Sequence, residues 1–127
     1  IQVHRVGTEA AELAGVDRVF WSTMNRTRII ELMASTELAE AMDDVRAETV
    51  DQETFGMAED DITHAIDVTT VVAEKRRAMA AHASQIAPDD FFLTLDDEAF
   101  VAAFGTEWYV APDWPRNGGE FIGSLFA

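Results

Sequence analysis

The stretch Ile1-Gln2-Val3-His4-Arg5-Val6-Gly7-Thr8-Glu9-Ala10-Ala11-Glu12-Leu13-Ala14-Gly15, followed after three residues by Val19-Phe20-Trp21-Ser22-Thr23-Met24, decides the fold class. Val3, Val6, Ala10 and Leu13 recur at three- and four-residue spacing and lie on one face of an amphipathic helix. Gly15 follows directly and suits the left-handed position that ends a helix. The next apolar run is rich in β-branched and aromatic residues and reads as a buried strand. Helix, short Gly-containing turn and strand make half of a βαβ unit, so the class is α/β. The helix has a clean stop but no capping residue at Ile1-Gln2-Val3. The expectation is therefore one partial domain over residues 1–127, a piece of a larger one.

Moving toward the C-terminus, Asn25 to Arg28 reads as the turn into a second helix, with Thr27 as the cap for Ile29 to Met33. Residues 35–48 are polar and acidic, with a thin apolar stripe of Leu38, Ala41, Met42 and Val45, and read as a solvated helix. Phe55-Gly56-Met57 is an apolar island in an acidic loop. Ile62 to Val68 alternates at period two and predicts a strand with one polar face. Asp67 or Thr69 then caps a helix expected to reach Ile86, with Val72, Met79, His82 and Ile86 on its inner stripe and Pro88 beyond. Asp96 is a strong N-cap. Leu95 and Phe100 flank it at the positions of a hydrophobic staple, and the helix closes at Gly105. Glu107 to Val110 predicts a last short strand. The tail ends in Phe121-Ile122 and Leu125-Phe126, expected to dock on the body or to make an oligomerising contact.

Composition narrows the function. Nine basic against 24 acidic residues give a net charge of −15, a surface that repels phosphate backbones and argues against nucleic-acid binding. No apolar run approaches a membrane span. The absence of Cys removes disulfide and thiol chemistry and fits a reducing cytoplasm. The three His, His4, His64 and His82, never pair at helical ligand spacing, so a zinc site built from this chain alone is not expected. Nucleophile-elbow, P-loop and dinucleotide-binding motifs are missing too. His82 is either a core His bonded to a carbonyl or a polar group aimed into a cleft. Phe55 is either a loop anchor or an aromatic facing a substrate.

Five segments in order resemble one family. Glu74-Lys75-Arg76-Arg77-Ala78-Met79-Ala80-Ala81-His82-Ala83-Ser84-Gln85 is similar to a helix near the C-terminus of the zinc-dependent N-deacetylases. That family takes in N-acetylglucosaminyl-phosphatidylinositol de-N-acetylases, LmbE-like proteins and the actinobacterial mycothiol deacetylases and conjugate amidases. Ile1 to Arg5 resembles the helix after the family's His-Pro-Asp-His motif, and Val19 to Arg26 the next strand and its exit. Phe55-Gly56-Met57 with Ile62 to Val68 resembles a loop and strand. Phe104 to Tyr109 with Ser124-Leu125-Phe126 resembles the actinobacterial ending.

The resemblance implies a Rossmann-like three-layer sandwich, of which this is the C-terminal portion. It implies a hydrolase that removes acetyl from an N-acetylated amino sugar or cleaves a related amide. Zinc would polarise the carbonyl and activate water, with a carboxylate base and a His beside it. The metal motifs would lie upstream of Ile1, so neither ligands nor catalytic residues fall in this segment, which alone is expected to be inactive. His4 would stand one turn after the last ligand, as a structural or ligand-supporting residue. Phe55 corresponds to an aromatic near the family's substrate pocket. His82 and Gln85 match the family helix as candidate substrate contacts with no assigned chemistry. The competing reading is a non-catalytic acidic interaction or oligomerisation module that retains the fold.

Overall fold

The computed structural model describes residues 2–34, 55–116 and 119–126. The acidic helix expected over 35–48 lies outside the described residues. Helix α1 spans Gln2–Ala14. Its end is a Schellman turn: Val16 N donates to Ala11 O at 2.9 Å and Gly15 N to Glu12 O at 3.1 Å. Gly15 takes φ +66° there, a conformation that costs glycine nothing.

Strand β1 (Trp21–Thr23) follows, then α2 (Arg26–Ala34), β2 (His64–Asp67), α3 (Val72–Ala81), the short α4 (Phe91–Thr94), α5 (Asp97–Phe104) and β3 (Thr106–Val110). The strand order is β1-β3-β2. Both neighbours run antiparallel to β3, with Ser22 and His64 each opposite Tyr109. Ser22, Tyr109 and His64 therefore share one face of the sheet, and Trp21 and Val110 share the other. The helix–turn–strand unit of α1 and β1 forms, but β1 is shorter than the expected 19–24 and only partly buried. A parallel partner for β1 is not among the described residues, and β1 is an edge of this sheet. Mixed helix and sheet make the chain α/β.

Helix α5 packs on β3 and α2. Leu95 and Phe100, 8% and 2% exposed, form a core with Leu32, Val72, Met79 and Phe104 around them. Asp96 caps α5 by accepting from Ala99 N at 2.8 Å, so the staple and the cap fall where the sequence puts them. Arg76 pins this corner. It donates to Leu93 O at 2.8 Å, to Leu95 O and to Asp97, and its guanidinium lies 4.7 Å from the Phe100 ring centroid.

Two further expectations, the Thr27 cap and the reach of the third helix with its His82, need correction. Thr27 lies inside α2; Asn25 caps it, its Oδ1 accepting from Arg28 N at 3.1 Å. Helix α3 stops at Ala81 rather than Ile86. Residues 82–85 are all exposed, so no burial offsets the entropy of extending the helix. His82 O instead accepts from both Gln85 N and Ile86 N, closing a tight turn. His82 consequently leaves the inner stripe, which holds Val72 and Met79. In the tail, Phe121 docks edge-on against Trp108 at 5.3 Å, whereas Phe126 is 91% exposed.

Candidate functional site

The exit of β1 is a tightly organised polar region. Met57 N donates to Met24 O, and Arg26 N to Met57 O, both at 3.0 Å, which lays the 55–57 loop alongside the strand's end. Gly56 makes this approach possible. It sits at φ +61°, and a Cβ there would lie 2.4 Å from Met24 O. One turn further, Glu59 gathers three groups. Its carboxylate accepts from Asn25 Nδ2 at 3.0 Å and Arg28 Nε at 3.1 Å, and its N–H donates to Thr27 Oγ1 at 3.2 Å. Arg116 reaches over from the C-terminal side to Glu59 O at 3.3 Å. Phe55, half-buried, stands at the head of this pinned loop.

Beside this junction a cleft of about 570 Å³ opens between the sheet face and α2, α3 and α5. Its polar wall is a chain of three residues. Lys75 Nζ meets Glu107 at 3.1 Å and donates to Phe104 O at 3.0 Å, and Tyr109 OH donates to Glu107 Oε2 at 2.8 Å. The Tyr109 hydroxyl and then the Lys75 ammonium hold the Glu107 carboxyl below its ordinary range. Burial and the Glu107 carboxylate push the Tyr109 phenol up. A carboxylate already served by two donors is a poor base, and a phenol bound to it keeps its proton. This wall can orient a polar ligand and hold the sheet to α3; it does not supply a base for hydrolysis.

The residues named from sequence do not converge. Neither Phe55, His82 nor Gln85 lines the cleft. His82 and Gln85 are exposed at the end of α3, and Gln85 Nε2 donates to Ser84 O. His4 is exposed on α1, its ring edge-on to Trp21 at 5.3 Å. Two features escaped sequence reading. Glu107 and Tyr109 are two apart on a strand and so share a face, a signal that was present; that the single Lys of the chain meets them from α3 was not. The other is His64, which is 0% exposed; its strand was legible, but its enclosure depends on residues from three other segments.

Zinc can be tested against the donors present. Among the described residues no three His, Asp, Glu or Cys side chains gather as a metal would require. Two of the three His are exposed on separate helical segments, and His64 Nδ1 is 2.7 Å from Thr63 Oγ1. These donors do not fit a zinc ion, and no step is derived through one.

The pinned loop stands beside an α/β sheet and its cleft, and comparison with known proteins gives the chain a family. The chain is 31% identical, over 86% of its length and 41% of the relative's, to a 1D-myo-inositol 2-acetamido-2-deoxy-α-D-glucopyranoside deacetylase of Nocardioides sp.. It is 32% identical to the deacetylase of that name from Streptomyces avermitilis, over 86% of this chain and 42% of the relative. It is 31% identical to the one from Mycolicibacterium smegmatis, over 87% and 40%. The chain belongs to this actinobacterial LmbE-like deacetylase family and spans about two-fifths of the length of the curated relatives it matches. No protein-family model matches the chain, and no solved structure matches it.

Proposed function

We propose that this chain is the C-terminal, substrate-enclosing part of a zinc-dependent hydrolase that removes the acetyl group from an N-acetylated amino sugar or cleaves a related amide. The observation that carries the reading is the 31% identity to the Nocardioides deacetylase across 86% of the chain. Its printed substrate, an acetamido sugar joined to inositol, supplies the substrate class. The metal ligands and the base belong to the part of the domain that precedes this chain, and the whole domain is a Rossmann-like sandwich.

Physical features of the chain support a partial domain. Val3, Val6 and Leu13, the apolar stripe of α1, are 83%, 63% and 90% exposed. Exposed apolar side chains in a row and an edge strand such as β1 call for a covering layer. Within the proposal Phe55 faces the sugar, carried on a loop that Asn25, Arg28 and Arg116 hold still. His82 and Gln85, at the exposed end of α3, contact substrate only at the rim. Release of free amine from the acetamido sugar by the whole protein, and its loss on zinc chelation, tests the reading. Absence of amide hydrolysis by the whole protein overturns it in favour of a non-catalytic module.

A further inference from the structure

His64 is the one ionisable side chain of the described residues that is wholly enclosed, and neither the family nor the cleft accounts for it. Its ring lies steeply inclined to two aromatic rings, Phe20 at 5.1 Å and Trp114 at 5.6 Å. Nδ1 lies 2.7 Å from Thr63 Oγ1, and that oxygen already accepts from Ala111 N at 2.9 Å. If Thr63 donates to Nδ1, Nε2 carries the imidazole proton. If Thr63 donates instead to Tyr109 O at 3.3 Å, Nε2 is the bare acceptor. On either tautomer Nε2 is buried with no partner among the described residues.

Among the described residues the surroundings offer a cation no bonded anion. The residue opposite on β3 is Tyr109, whose hydroxyl is spent on Glu107. From the segment before β1, Arg18 lies over the Trp114 ring at 5.0 Å, a positive charge on the far member of the cage. Asp17 and Asp113 line the neighbouring hollow with Arg18 and are exposed. Thr63 supplies a neutral hydroxyl, and Ile122 pairs with His64 through backbone alone. Among the described residues no carboxylate bonds the imidazole.

We propose that His64 is a proton-sensitive latch: neutral, it seals the joint of β2 with Phe20, the Trp114 loop and the C-terminal segment at Ile122, and protonation opens that joint. The proton comes from solvent and converts imidazole to imidazolium, whose charge needs water that the aromatic cage excludes. Burial sets the His64 pKa below its ordinary 6.5. The folded form thus favours the neutral ring, and the cost of folding around His64 grows as pH falls through the unfolded value. The segment that gives way is held by two amides: Ala65 N donates to Ile122 O and Ile122 N to Thr63 O, both at 3.1 Å.

The test uses the whole protein. The ring resonances of His64, assigned by their loss in His64→Gln, are followed against pH, and hydrogen-exchange protection of Ala65 and Ile122 is compared at about pH 7.5 and about pH 5. The latch predicts a His64 midpoint below 6.5 and a loss of protection of about tenfold at those two amides. The Phe100 amide in the core of α5 stays protected, and His64→Phe, which fills the cage without titrating, keeps its protection at both pH values. Titration at or above 6.5 in the wild type overturns the proposal even if the variants fail to fold. Equal loss of protection in His64→Phe, or loss shared by Phe100, overturns it too.

Discussion

Asn25 and Glu59 stand 34 positions apart and are joined by a 3.0 Å hydrogen bond from Asn25 Nδ2 to Glu59 Oε2. Asn25 is 1% exposed, and its other amide atom caps α2. One side chain therefore sets both the direction of the helix leaving β1 and the position of the loop that carries Phe55. Geometry at the sheet's edge is transmitted to the proposed substrate-facing loop through it.

Asn25→Ala removes the cap and leaves Glu59 without its buried donor. A lost cap costs about 1 kcal/mol and an unpaired partner about 1–3 kcal/mol. The expected outcome is a destabilisation of about 2–4 kcal/mol in denaturant unfolding. Asn25→Asp keeps the cap but sets a second carboxylate against Glu59, and falls between the two.

Gly56→Ala tests the loop by a different route. The substitution puts a Cβ against Met24 O and an L side chain at positive φ. Such strain costs about 1–3 kcal/mol, and more where the clash is with backbone. The melting temperature is expected to fall, and the protection of the Met57 and Arg26 amides in hydrogen exchange with it.

Glu107 gives a pH prediction. Its folded-state pKa lies below the ordinary 4.5, so its contribution is present above the unfolded value and is lost as pH falls through the folded one. Glu107→Gln is therefore expected to flatten the acid limb of the stability curve below about pH 4.5, leaving the limb near neutrality, where His64 acts, unchanged. Thermal unfolding against pH measures both. The carboxylate is half exposed, so the effect is modest.

Phe55→Ala separates binding from folding. Phe55 is half-buried on a loop held by other residues, so stability changes less than for Asn25→Ala. If its ring packs on the sugar, KM in the whole protein rises about tenfold with kcat largely kept. Steady-state deacetylation kinetics check this; an unchanged KM removes Phe55 from the substrate wall.

The helix–strand opening is legible because its apolar spacing repeats every few residues, and the Asp96 cap with its Leu95–Phe100 staple and the turn at Gly15 because each is a local device whose residues lie within six positions of one another. The Thr27 cap failed because the helix begins two residues earlier than such a cap allows, at Arg26, and Asn25 caps it. The choice fell to Asn25 because its amide also bonds Glu59, a contact no local pattern reveals. His82 failed for a related reason: its helical spacing was right, but the helix ended one residue before it. The network of Lys75, Glu107 and Tyr109 and the cage around His64 depend on strand order, with β3 placed between β1 and β2, which the pattern of apolar residues does not encode. The aromatic ring of Phe55 in an acidic loop and the family resemblance both point to it, and the structure puts it on a pinned loop.

The central claim is that this chain encloses the substrate of an amide hydrolase whose metal centre lies elsewhere in the same domain. The most direct measurement is release of free amine from 1D-myo-inositol 2-acetamido-2-deoxy-α-D-glucopyranoside by the whole protein and, in parallel, by residues 1–127 alone, each with and without zinc. The account predicts zinc-dependent release by the whole protein and none by the segment. Zinc-dependent release by the segment, or none by the whole protein on this or related acetamido sugars and amides, would contradict it.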